Sequence, residues 1–221
     1  TMLATLFFTS CSEFNNIIKS GDYLYRYEAA KQYYADGKYT RAVVLLQDVI
    51  SVLKGTDKGE ESLYLLGISA YKARDYEAAA NFLKKYYETY TNGLYTQDAR
   101  FYNAMALYKN TPEPKLDQTE TYEAVTAFQN LLEIFPQSIY AKESQGMIFK
   151  LQDKLVEKEY LSAKTYFDLG SYFGNCNFGG NNYQACIITA ENAMRDYPYS
   201  KRREDFAIML LRVKYLLAVH S

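Results

Sequence analysis

Tryptophan is absent from these 221 residues, histidine occurs once, cysteine three times and proline four times. Each shortage excludes something. The one imidazole, His220, lies one residue from the end and reads as a solvated side chain, so general acid–base catalysis lacks its usual carrier. Cys11, Cys176 and Cys186 do not have the spacing of a zinc site, and no histidine is near them in sequence. Glycine is scarce too, and Phe178-Gly179-Gly180 follows no strand, so a phosphate-cradling loop is missing. Carboxylates are spread along the chain instead of gathering beside a base. A formal net charge of −1 gives nucleic acid no general attraction. The short run Lys201, Arg202 and Arg203 reads as a solvated helix start, available to lipid headgroups or an acidic partner. No enzyme activity, cofactor, metal or nucleic-acid partner is expected.

What remains is a folding composition, 48% hydrophobic and 23% charged, with 24 tyrosines as its excess. A tyrosine ring packs while its hydroxyl seeks a polar partner, which suits helix interfaces and binding surfaces. The tyrosines fall in a repeat. Tyr27, Ala30, Tyr34, Gly37, Tyr39 and Ala42 recur 37 residues later as Tyr64, Gly67, Tyr71, Arg74, Tyr76 and Ala79. Phe101, Ala104 and Tyr108 continue the series by the same step. The pattern resembles the tetratricopeptide repeat, and the predicted fold is all-α, a tetratricopeptide-repeat superhelix (an α-α solenoid). Ala30, Gly67 and Ala104 let helix backbones approach, Ala42, Ala79 and Val125 serve the same contact from the second helix, and Tyr39, Tyr76 and Tyr122 fill the hollow beside each turn.

Pro112 and Pro114 break the third pair at a polar loop, residues 110–121. Its second helix is expected from Thr121 to Phe135, ending at Pro136, with Ser138 as the cap of the next helix. Residues 139–170 read as one unusually long helix or two joined end to end. Tyr160, Ala163 and Phe167 open a fourth pair. Aligning Tyr183 with Tyr39 puts Cys186 in the small buried slot of Ala42, where a free thiol acts as a small hydrophobe. Cys176 falls in the loop 174–182 and is expected to be exposed; a Cys176–Cys186 disulfide is the alternative in an oxidising compartment. A last helix, about Lys201 to Ala218, carries Leu210, Leu211, Leu216 and Leu217 without a partner helix. Either the chain stops before its natural end, or this is an apolar cap where another protein docks.

The first helices of such pairs line a groove. The positions facing it are Tyr27, Lys31 and Tyr34, then Tyr64, Ile68 and Tyr71, then Phe101, Met105 and Tyr108, each trio one face of a helix. Lys72 and Lys109 stand nearby for an acidic group or a chain-terminal carboxylate. An extended, aromatic-bearing peptide suits this ladder; the competing reading is that the rings only pack repeat on repeat.

At the other extreme of the chain, the apolar run Met2 to Phe8 ends in small residues before Cys11. It is too short to span a bilayer but has the form of an export signal ending at a lipoprotein cleavage site. Phe8 replaces the leucine usual three residues before the cysteine, and the basic start of such a signal is missing. Residues 1–10 are therefore read as a signal remnant, and Cys11 as the lipidated first residue of the mature protein.

This cysteine, three helix pairs before Phe135-Pro136-Gln137-Ser138, and the long segment through Leu151–Gly170 to Asp196–Ser200 together resemble the BamD family of outer membrane assembly lipoproteins. The resemblance runs from residue 11 to 218. It implies a lipid anchor in the outer membrane at the periplasmic face and five helix pairs. It also implies contact with the β-barrel insertase and its accessory lipoproteins, and binding of targeting segments of unfolded outer membrane proteins. Carried onto this chain, residues 11–21 are the lipidated tether and outer membrane lipid is met through the acylated Cys11. Residues 22–136 hold the client groove, and 137–221 hold the long helix, the fourth pair, an incomplete fifth pair and the insertase-docking half. The longer loops at 110–121 and 174–182 depart from the family pattern. Two other readings share the repeat evidence: an envelope scaffold, and a carbohydrate-binding component of a nutrient-uptake complex. The lack of tryptophan speaks against the second.

Overall fold

A computed structural model describes residues 13–170 and 181–219. Cys11, Cys176 and His220, and with them the expected lipidation site, the loop cysteine and the lone imidazole, lie outside the described residues. Every regular element among the described residues is a helix: α1 (13–19), α2 (Tyr23–Ala35), α3 (Tyr39–Leu53), α4 (Gly59–Lys72), α5 (Tyr76–Thr89), α6 (Thr96–Asn110), α7 (Thr119–Ile134), α8 (Ala141–Leu169), α9 (Asn182–Asp196) and α10 (Arg203–Val219). The helices pack as consecutive pairs, the tetratricopeptide arrangement that the 37-residue step predicts. The long segment is a single helix of 29 residues.

Local chemistry sets the boundaries. Asp22 caps α2 by accepting from the Leu24 and Tyr25 amides at 2.9 and 3.0 Å, and Asp75 and Asn181 cap α5 and α9 in the same way. The turn inside the first pair closes with Gly37 N–H donating to Tyr34 O and Lys38 N–H to Tyr33 O. Arg74 and Asp75 repeat those two bonds onto Tyr71 O and Ala70 O. This is the helix-ending motif that needs a left-handed residue, and φ is +74° at Gly37 and +66° at Arg74. Glycine adopts that conformation freely; arginine holds it under strain.

The chain divides into two bodies. Of the described residues, the first comprises 13–110 and 127–141, the second 111–126, 142–170 and 181–219. In the first body, Ala30, Leu46, Val49 and Leu66 form one fully buried cluster, and Ala79, Leu83, Tyr86 and Ala106 another. Gly67 sits at a close crossing of α4 and α5: a Cβ there would lie 2.7 Å from Leu83 Cδ2. The segment read as a tether folds from residue 13 onward, for α1 buries Ile17 and sets Phe14 edge-on to Tyr33 with ring centroids 5.5 Å apart.

The second body is cored by Val156 and Ala163 of α8, Cys186 and Ala190 of α9, and Phe206 and Val213 of α10. Cys186 is a free, fully buried thiol whose pKa burial pushes up. The basic run is more tied down than a solvated helix start. Arg202 makes a two-pronged ion pair to Glu157 at 2.8 and 3.0 Å, binds Asp205, and lies over the Tyr160 ring.

One register needs correction. The repeat predicts that Tyr122 and Val125 match Tyr39 and Ala42, but Tyr122 is 53% exposed and Val125 only half-buried. The buried series in α7 is Thr121, Ala124, Phe128 and Leu131, one residue earlier. Ala124, Phe128 and Leu131 repeat the spacing of Ala42, Leu46 and Val49. The loop explains the slip. Gln118 is buried; its amide donates to the carbonyls of Glu113 and Leu116, and its Oε1 accepts from the Thr121 hydroxyl at 2.8 Å. A polar plug, not a ring, closes this hollow.

Candidate functional site

The first body carries a seam of tyrosines between its repeats. Tyr27 donates to Glu61 Oε2 at 2.5 Å, and 37 residues on Tyr64 faces Asp98 Oδ2 at 3.4 Å. Burial and the adjacent carboxylate raise the pKa of Tyr27, and burial with the Asp98 charge does the same for Tyr64, so both stay protonated donors. Tyr64 also stacks on Tyr95 at 4.2 Å, and Phe101 on Tyr140 at 4.2 Å. Phe101 has no hydroxyl; Tyr140 supplies one, donating to Asp98 Oδ1 at 3.0 Å. Glu60 next door accepts from Tyr86 and from the Leu94 amide, both at 2.6 Å.

These contacts sort the residues nominated from sequence. Tyr27, Ile68, Phe101 and Met105 are buried in the repeat packing. Tyr64 is half-buried within the seam, and Lys31 is half-exposed, paired with Glu61 at 3.2 Å above the Tyr27 ring. The last position of each trio is different. Tyr34, Tyr71 and Tyr108 are only partly covered, and Lys72 and Lys109 are exposed beside them.

Tyr34 and Tyr39 meet edge-to-face at 5.7 Å and 63°, and Tyr71 and Tyr76 repeat that geometry at 5.6 Å and 64°. Lys72 Nζ lies over both rings of the first pair, at 5.1 Å from Tyr34 and 5.4 Å from Tyr39. Tyr102 extends the row, 5.1 Å from Tyr71, and Lys109 Nζ is 5.7 Å from the Tyr108 ring. The row offers ring faces, phenol hydroxyls and the Lys72 ammonium in one strip. Sequence reasoning missed Tyr102 as a member of it. Residues one and two steps earlier at that register are Leu65 and Glu28, so no periodic signal marks it.

The second body presents another kind of surface. Ile208, Leu211, Tyr215 and Val219 run along one face of α10 at 50 to 73% exposure, with Ile188 of α9 also exposed. Among the described residues no cluster of histidine, cysteine or carboxylates is placed to hold a metal ion, and no helix is long and apolar enough to cross a membrane.

Against this geometry, residues 22–210 match the family described as YfiO, outer membrane lipoprotein. The chain belongs to that family. Members it resembles include the outer membrane protein assembly factors BamD of Neisseria gonorrhoeae and Neisseria meningitidis serogroup B, each 26% identical over 165 residues. Those alignments cover 68% of this chain and 60% of the relatives' own length. A tetratricopeptide-repeat protein of Thermus thermophilus with a crystal structure is 15% identical, covering 86% of this chain and all of that one at a TM-score of 0.43. The YfiO match spans α2 through the first half of α10, so it takes in the tyrosine–lysine row but, of the exposed face of α10, only Ile208.

Proposed function

We propose that this chain is a non-enzymatic scaffold of the machinery that assembles β-barrels into the outer membrane. It is anchored through an acylated Cys11 at the periplasmic face. Its first body holds targeting segments of unfolded barrel proteins, and its second docks onto the insertase, with accessory lipoproteins as further partners. The observation that carries the reading is the repeated tyrosine–lysine row, Tyr34–Tyr39–Lys72 followed by Tyr71–Tyr76–Tyr102. Barrel strands alternate apolar and polar residues between aromatic girdles, and the targeting segment is the last strand, closing on an aromatic side chain at the chain terminus. Ring faces receive the aromatic, and Lys72 or Lys109 receives the terminal carboxylate. The lysines are solvated, so each contact is weak, as befits a carrier that hands its client on.

Docking through α10 follows from its apolar stripe, since an exposed face of this kind on a helix marks a protein contact. Purification of the lipidated protein from detergent-solubilised envelopes, with the bound proteins identified by mass spectrometry, tests the whole reading. A barrel-forming insertase is expected with the wild type, and is expected to be lost with Leu211→Glu. A Cys11→Ala control is expected to leave the membrane fraction. Recovery of a glycan transporter or of peptidoglycan enzymes alone would overturn it.

A further inference from the structure

The anchor and the first helix are too close together for a free tether. Phe14 of α1 is fixed at the end of the first pair where α2 turns into α3: its ring is 5.5 Å from Tyr33, in the last turn of α2, and 5.1 Å from the Arg41 guanidinium, in the first turn of α3. Ile17 is buried on the same cluster, so α1 is packed and not dangling. Phe14 is three residue steps from Cys11, with only Ser12 and Glu13 between them, and even a fully extended chain covers only about 11 Å in that span.

We infer that the α2–α3 turn of the first body lies against the lipid headgroups of the outer membrane. The inference rests on the reading that Cys11 is acylated. With acyl chains in the bilayer, Cys11 sits at headgroup level, and Phe14 cannot be much farther from it than the thickness of the headgroup layer. The side chains at this end fit such a place. Lys38 Nζ lies over Tyr33 at 5.5 Å and pairs with Asp36 at 3.0 Å, while Arg41 covers both Phe14 and Tyr33. Aromatic rings carrying cations are the composition of membrane-interface anchors. The placement deepens the proposed function, because Tyr34, Tyr39 and Lys72 stand at this same turn. A client held there is held next to the lipid it must enter.

The absence of tryptophan allows a clean test. Single reporters, Thr40→Trp at the α2–α3 turn and Asp57→Trp at the far end of α3, are introduced into the full lipidated chain; both positions are exposed. Each protein is reconstituted into vesicles of phosphatidylethanolamine and phosphatidylglycerol containing a trace of dansyl-labelled headgroup. Energy transfer from the Thr40→Trp reporter is expected to exceed that from Asp57→Trp at least about twofold, since the 15 residues of α3 separate them by about 22 Å. Vesicle flotation is run in parallel. Protein that floats but transfers equally from both reporters, or more from Asp57→Trp, overturns the placement and leaves the anchor standing. Protein that floats no better than Cys11→Ala overturns the anchor and the placement with it.

Discussion

At the scale of single residues, the backbone and the helix crossings carry the sharpest consequences. Arg74 holds φ at +66° where the preceding repeat has Gly37, and it is exposed, so little is lost by removing its side chain. Arg74→Gly is expected to raise stability by about 1 kcal/mol in urea melts, the strain of a left-handed non-glycine residue. Gly67 is the opposite case. A Cβ there meets Leu83, itself fully buried and unable to swing away. Gly67→Val is expected to cost about 1–3 kcal/mol by overpacking, in spite of valine's better helix propensity. The Tyr27–Glu61 bond makes a pH-dependent contribution. The Tyr27 hydroxyl, opposed by burial and helped by Lys31, holds the Glu61 carboxyl below the usual glutamate range. A depressed carboxylate stabilises the fold above its unfolded pKa, and that stabilisation is lost as pH falls through the lower folded value. Stability measured from about pH 4.5 down to 3 should therefore fall less steeply in Tyr27→Phe than in the wild type; parallel slopes would remove the bond from the account.

At the scale of elements, the extended loop between α6 and α7 is both the hardest feature to read and the easiest to test. The 37-residue step makes the first two pairs and the start of the third legible, because each small or aromatic position recurs without interruption. Beyond Asn110 the step fails, and matching ring to ring selects Tyr122 when the buried position is Thr121. Only the pairing of Gln118 with Thr121, which no periodicity encodes, shows why a hydroxyl suffices there. The loop is pinned from α8: Lys154 Nζ donates to the Thr111 hydroxyl at 2.6 Å and Lys158 Nζ to the carbonyls of Lys115 and Leu116 at 3.2 and 3.1 Å. Burial alone lowers the Lys154 pKa. Lys154→Met keeps the apolar stem and removes the donor. Trypsin should then cut after Lys115 several-fold faster, at unchanged helix content by circular dichroism; an unchanged rate would mean that the lysine does not hold the loop.

At the scale of the whole molecule, the excess of tyrosine proves to be mainly structural. Burial raises the pKa of Tyr27, Tyr64, Tyr86 and Tyr197, helped by carboxylates at the first three and by Tyr122 at the last. A phenol that resists ionisation in the fold but ionises near pH 10 when unfolded destabilises the fold as pH rises past that value. The tyrosinate absorbance of these four rings should therefore rise only together with loss of helix; a rise with helix content unchanged would contradict their burial. The fold class and the order of helices are readable from the chain because repetition multiplies a weak local signal. The binding strip is readable only in part. Helical spacing cannot tell a ring that faces a groove from one that faces the next repeat, so it nominates buried Tyr27 and Phe101 beside partly covered Tyr34 and Tyr71.

The central claim is that the remaining strip, centred on Lys72 and Lys109, grips the aromatic end of an unfolded barrel strand. Fluorescence anisotropy of a labelled peptide of alternating apolar residues ending in phenylalanine with a free carboxylate measures this directly. The account predicts about tenfold weaker binding, about 1.4 kcal/mol, for Lys72→Glu/Lys109→Glu or for the amidated peptide, with little further loss when the two are combined. Equal affinity for both proteins and both peptides would contradict it.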